Sequence, residues 1–180
     1  MRETSIEEAV GRKYPEWVTL VVSGDGAGQV NAMPAGWVTF TSIDPVMLAV
    51  SVGHERYTYQ LMENSAEFVV TFPSSEQKKD VYYCGNNSGA DVDKFSKTSL
   101  RTEEPSVVSV PLIKESVVCF ECEKRGELVT GDHTIFSGEI VAAHVSEEKM
   151  EKIYTVKGWH EKGQAGFQTV EEMVRDGGSN

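Results

Sequence analysis

Apolar positions along this chain recur mostly at the alternating or unbroken spacing of strands, and only rarely at the three-to-four-residue spacing of helices. The pattern begins at Trp17-Val18-Thr19-Leu20-Val21-Val22 and stops at Ser23-Gly24-Asp25-Gly26-Ala27-Gly28, a glycine cluster that reads as a hairpin turn. A dinucleotide loop would need its third glycine one place later and a helix after it, whereas Val30 to Thr41 reads as a further extended segment. Val46-Met47-Leu48-Ala49-Val50-Ser51-Val52 is a short apolar run, as expected of a strand buried on both faces in a barrel wall. Tyr57, Leu61 and Met62 set a helix between Arg56 and Ser65, and Glu67 to Pro73 returns to strand. A second helix is expected over Ser75 to Cys84. The stretch from Gly85 to Ser106 reads as a long irregular segment with one helical turn near Asp93-Lys94-Phe95, and loops of that length inside a domain are usually functional. Two long strands follow, Leu112 to Arg125 and His133 to Val145, joined near Gly131, and a polar tail from Gly158 carries a short helix at Thr169 to Arg175. This order predicts a mainly β protein with covering helices, an antiparallel barrel rather than a doubly wound sheet. A single domain over 1–180 is expected, with its core at about 16–145.

Charge narrows the partners. Lys and Arg number 17 against 28 Asp and Glu, a net charge of −11 that repels nucleic acid phosphates and anionic membranes alike. The start, Met1-Arg2-Glu3-Thr4-Ser5-Ile6-Glu7-Glu8, is acidic where a signal peptide needs a basic start and an apolar core. No later apolar run approaches the ~20 residues that span a bilayer. A cytoplasmic protein is expected, with no nucleic acid or membrane partner. Cys84, Cys119 and Cys122 do not form the even set of a disulfide framework. Cys119-x-x-Cys122 has the spacing of a redox or zinc motif, but it lies in a strand-like segment where residues three apart face opposite ways. Both are therefore read as structural thiols. His54, His133, His144 and His160 lack metal-ligand spacing, and no metal site is assigned.

Four segments concentrate small, hydroxylated and cationic residues beyond what a barrel requires. In Asn31 to Ser42, Ala35 and Gly36 allow close backbone approach, while Thr39, Thr41 and Ser42 supply hydroxyls; an ordinary Thr-rich strand would look the same. In Ser51 to Thr58, a buried strand runs into a helix start where free N–H groups, the Thr58 hydroxyl and the Arg56 fork suit a phosphate. The alternative is a plain cap beside a solvated arginine. Gly85 to Phe95 is flexible enough to wrap a ligand and carries Lys94 beside Phe95, or is simply a surface loop. Gly131-Asp132-His133-Thr134 sets a turn that presents His133 at the head of a strand, as a donor to a bound ring or as a structural hydrogen-bonder.

These segments, in this order, resemble the flavin reductase-like FMN-binding split-barrel family, which includes flavoredoxins and short-chain flavin reductases. The resemblance spans about Glu16 to Val145 and rests on Asn31-Ala32-Met33 with Gly36-Trp37 and Thr41-Ser42, and on Ser51-Val52 with Arg56-Tyr57-Thr58 and Glu63-Asn64. It continues through Glu67-Phe68-Val69-Val70, Ser88-Gly89 with Asp93-Lys94-Phe95, Pro111-Leu112-Ile113, Glu121-Cys122 and Gly131-Asp132-His133. It implies non-covalent FMN in an antiparallel split β-barrel. The Thr39 to Ser42 region, Ser51, Val52, Arg56, Tyr57 and Thr58 would hold the ribityl phosphate, and Met33, Ala35, Gly36 and Trp37 would lie along the isoalloxazine. The loop carrying Asn87, Ser88, Gly89, Lys94 and Phe95 would contribute to the same site, and His133 would lie near the flavin or a nicotinamide. A homodimer with sites near the subunit interface is implied as well. Pro34 stands where relatives more often carry a small hydroxylated residue, which removes a hydroxyl and a backbone donor near the ring.

The function expected is transfer of hydride or electrons between NAD(P)H, flavin and a downstream acceptor. The protein would fix the phosphate and cover one face, while the flavin supplies the redox chemistry. The competing class is a non-enzymatic module that holds FMN as a sensor or store.

Overall fold

The computed structural model describes residues 1–156, 167–169 and 171–173 of the chain. In chain order the elements begin with α1 (Ile6–Gly11), β1 (Glu16–Trp17), β2 (Thr19–Gly24), β3 (Val30–Ala35), β4 (Val38–Ile43) and β5 (Val46–Gly53). Next come α2 (Tyr57–Asn64), β6 (Glu67–Phe72), a 3-10 turn at Ser75–Gln77, α3 (Lys78–Asn86), α4 (Lys94–Lys97), β7 (Thr102–Glu103) and β8 (Leu112–Ile113). The chain then runs through β9 (Val118–Thr130), β10 (His133–Val145), β11 (Tyr154–Thr155) and β12 (Phe167–Gln168). No helix among the described residues is long and apolar enough to cross a membrane.

Seven strands form one antiparallel sheet in the order β3-β2-β6-β9-β10-β5-β4. Its two faces carry separate cores, as the two-residue period of a strand requires. On β2, Val21 joins Leu48, Val50, Phe68, Val70 and Phe136 inside the barrel, while Leu20 and Val22 pack outward beneath α3 and the 100–113 segment. Burial on both faces explains why β2 reads as a continuous apolar run. Cys119 falls in the outer core and Cys122 in the inner one, so the two thiols do face opposite ways. Burial raises both, Cys122 to about 12, which leaves them unreactive thiols.

Three expectations are corrected. Val30 to Thr41 is not one strand. It breaks at Gly36-Trp37, and β3 and β4 lie at opposite edges of the sheet. That break carries the chain across the split of the barrel, where the Ser51 N–H donates to the Trp37 carbonyl at 2.9 Å. Leu112 to Arg125 is likewise two strands, because Glu115 adopts φ 54 and ends β8 before β9 begins. The second helix runs on to Asn86, beyond the expected Cys84. Of the expected tail helix, 171–173 are helical and 174–175 lie outside the described residues, as does His160.

A short second sheet, β1-β11-β12, brings the N-terminal segment and the chain beyond β10 together beside the Gly36-Trp37 crossing.

Candidate functional site

Strand alternation decides what faces the outside of the barrel near this crossing. With Val38, Val50 and Phe136 turned into the inner core, their neighbours Trp37, Thr39, Ala49, Ser51 and Ile135 turn outward. The small second sheet stands opposite, and a cleft of two adjoining cavities lies between. One, of ≈ 290 Å³, is lined among others by Tyr14, Met33, Ala35, Gly53, Arg56 and His133. The other, of ≈ 770 Å³, is lined by Trp17, Val38, Ala49, Ile135, Tyr154 and Met173 with several more. Glu16, Gly36, Trp37 and Ser51 line both.

The smaller cavity has a cationic end. β5 runs out at Gly53 and α2 begins at Tyr57, with Arg56 as an N-cap whose side chain caps nothing. The orphan N–H groups of this first turn are therefore open to an anion. The Arg56 guanidinium is half-exposed and meets Glu55 through Nε at 2.9 Å; its terminal nitrogens have no protein partner among the described residues. Behind the helix start, Asn31 on β3 donates through Nδ2 to Thr58 Oγ1 at 2.8 Å. Its Oδ1 is buried without a donor. Gly89 closes over that amide so tightly that a Cβ there would stand 2.7 Å from Asn31 Cγ and 3.1 Å from Tyr57 Cδ1.

The other end is aromatic. The His133 and Trp37 rings lie with centroids 5.0 Å apart, and His133 Nδ1 meets Asp132 Oδ1 at 2.6 Å. The hydrogen bond from His133, and then its charge, hold the Asp132 carboxyl below the usual range, so Asp132 is an acceptor and Nδ1 carries the proton. Neutral His133 thus offers Nε2 as an acceptor. The sequence reading of His133 as a donor holds only for the protonated ring.

Of the residues singled out in the sequence, Met33, Ala35, Gly36, Trp37, Ser51, Arg56 and His133 line the smaller cavity, and Thr39 the larger. Thr58 and Gly89 stand behind its wall through Asn31, and Tyr57 packs against Gly89. Thr41 and Ser42 lie elsewhere: Ser42 pairs with Met47, five residues or about 16 Å along β5 from Val52. Val52 is core. Asn87 bonds the Tyr83 carbonyl, Ser88 caps its own loop, and Phe95 packs on the outer core. Lys94 is not a ligand-facing cation in this chain. It is buried, and its Nζ donates to the carbonyls of Ala32 at 2.7 Å and Cys84 at 2.9 Å.

Tyr14, Glu16, Trp17, Tyr154 and Thr155 line the cleft but were not among the residues expected there. They arrive through the pairing of β1 with β11, and the Glu16-Trp17 pair just before the first long apolar run is the only local sign of it.

FMN offers a phosphate, ribityl hydroxyls and a planar ring. The uncapped α2 start and open Arg56 fork suit the first. Met33 to Trp37 line the end left for the ring, with the His133 ring beside Trp37 and tilted 40° from it. The residues present fit the group.

An antiparallel split barrel with this cleft at its seam defines the class, the FMN-binding type of split β-barrel. The chain belongs to the flavin reductase-like family: the family description "Flavin reductase like domain" matches residues 10–162. It is 44% identical to a protein of Archaeoglobus fulgidus over 128 residues, 71% of each chain. Over 131 residues it is 28% identical to the NADH-dependent FAD reductase of Streptomyces globisporus, covering 72% of this chain and 70% of that one. Among solved structures, the flavoredoxin from Methanosarcina acetivorans matches with a TM-score of 0.81 at 29% identity, over 94% of this chain and 92% of that one.

Proposed function

We propose that this protein holds FMN non-covalently in the cleft and passes hydride or electrons from NAD(P)H through it to an acceptor. The observation that carries the reading is Arg56 at the uncapped start of α2, its terminal nitrogens open, lining the same cavity as Trp37 and His133. When bound, the flavin supplies the reversible hydride chemistry that amino-acid side chains lack. The chain's own residues bind and orient. Arg56 at the start of α2 takes the phosphate, Asn31 braces that start from behind through Thr58, and Met33 to Trp37 lie along the ring. His133, held in one tautomer by Asp132, accepts at Nε2 from an amide such as the nicotinamide carboxamide and so aligns the donor. The relatives named flavoredoxin and NADH-dependent FAD reductase support this reading.

A homodimer is part of the proposal. Phe40, Ile43, Val46, Leu128 and Val129 are exposed along β4, the start of β5 and the tip of β9, and isologous pairing would cover them.

The test is Arg56→Ala, read by titration with FMN and with riboflavin. Loss of a charge-assisted contact typically costs ~1.5–3 kcal/mol, and the exposure of Arg56 places the expectation at the lower end, about tenfold for FMN. Riboflavin affinity should hardly move. Equal losses for both ligands would remove Arg56 from the phosphate site.

A further inference from the structure

The larger cavity has a different chemistry from the cationic one beside it. Three aromatic side chains, Trp17, Trp37 and Tyr154, stand around a floor of Ala49 and Ile135. Among the described residues that line it, the one ionisable at neutral pH is Glu16. That carboxylate is placed by β1, and its Oε1 is held by Lys13. Its Oε2 faces the crossing, 3.5 Å from where a Cβ on Gly36 would stand, so Gly36 leaves the acceptor open to whatever enters. The volume of ≈ 770 Å³ is in the range that encloses an organic ligand.

We infer that this cavity is the acceptor subsite and takes an uncharged, planar aromatic compound of the quinone class. The inference rests on the flavin reading above and goes beyond it by assigning the second reactant its own place. A nicotinamide dinucleotide carries a pyrophosphate, for which the described residues lining this cavity offer no cation; Arg56 lines the other one. Aromatic walls favour a flat π-system, and Glu16 Oε2 accepts from a hydroxyl on the ligand while repelling an anionic substituent. Trp37, Gly36 and Ser51 are shared, so the two reactants meet across the same residues. The step balances without a further reactant: reduced flavin gives up two electrons and two protons, and the quinone accepts both pairs as hydroquinone.

The experiment titrates 2-(hydroxymethyl)anthraquinone and anthraquinone-2-sulfonate into the protein, with and without saturating FMN, and reads tryptophan quenching. The neutral probe should bind in both states, with the sulfonate at least about tenfold weaker, equivalent to about 1.4 kcal/mol. In Glu16→Gln the gap should close to within about threefold, since the charge is lost while shape and polarity stay. Equal binding of the two probes, an unchanged gap in Glu16→Gln, or displacement of the neutral probe by FMN would each overturn the assignment. A protein that takes up no FMN would instead sink the flavin reading, and the quinone titrations without FMN would still decide the cavity.

Discussion

Lys94→Met removes a buried positive charge while keeping an unbranched side chain, and its effect should depend on pH in a way a surface lysine's would not. Lys94 is 4% exposed and bonded only to backbone carbonyls. Burial pushes its ammonium down from the ordinary 10.5 to about 8, with the nearby Arg56 charge acting in the same direction. Between those two values the native protein has released the proton while the unfolded chain still holds it. Stability therefore rises with pH across that window, because the unfolded state binds more protons there. The full window corresponds to about 3 kcal/mol, and the part between about pH 7.5 and about pH 9.5 to about 2 kcal/mol. Urea unfolding of both proteins across that range should show wild type gaining this amount relative to Lys94→Met. The absolute difference at neutral pH is less telling. Two carbonyls lose their donor, at about 1–3 kcal/mol each, but a buried charge is also removed. A difference that stays flat with pH would show that Lys94 titrates as an ordinary exposed lysine, and the buried tie between β3 and α3 would be wrong.

Gly89→Ala should destabilise the fold by about 1–3 kcal/mol in thermal or urea unfolding, since the new methyl overlaps the Asn31 amide and crowds Tyr57. It should also weaken FMN, and an unchanged midpoint would mean that the loop simply moves aside. His133→Ala should slow reduction of bound FMN by NAD(P)H in stopped flow, by up to about a hundredfold, while FMN affinity falls far less. His133→Asn, which keeps a side-chain acceptor, should recover part of the loss. Asp132→Asn should also slow the step, because an amide can donate to Nδ1 and move the ring proton to Nε2. Wild-type rates in all three variants would make His133 a structural histidine.

What could be read from the sequence was whatever a local period records. Alternation placed Cys119 and Cys122 on opposite faces, the glycine cluster gave the β2–β3 turn, and the spacing of Tyr57, Leu61 and Met62 gave α2 nearly to its ends. Lys94 shows the limit of such reading. In a loop of Gly, Asn, Ser and Asp it looks like a solvated cation, and nothing local says that the carbonyls of Ala32 and Cys84 will converge on it. Thr41 and Ser42 show another limit. They adjoin Thr39 in sequence, but β4 runs antiparallel to β5, so each further residue carries the chain away from the end where Arg56 sits.

The Gly36-Trp37 break ties these successes and failures together. β3 continued unbroken through Gly36 would stay at its own edge of the sheet, and the barrel would have no split to line. By crossing there, the chain places β4 at the far edge, turns Trp37 outward onto His133, and opens a gap that the β1-β11-β12 sheet walls from outside. Gly36 stands against Glu16 Oε2 and the Trp17 carbonyl at that crossing, 3.5 and 3.7 Å from where a Cβ would lie. Both would be ordinary contacts at the junction of the two cavities, so it is the fold of the crossing, more than the lack of a side chain there, that brings Glu16 to the cleft. The sequence did mark Gly36 as a place of close approach. It could not say what approaches, because Glu16 reaches the site only through a pairing with Thr155, across almost the whole length of the fold.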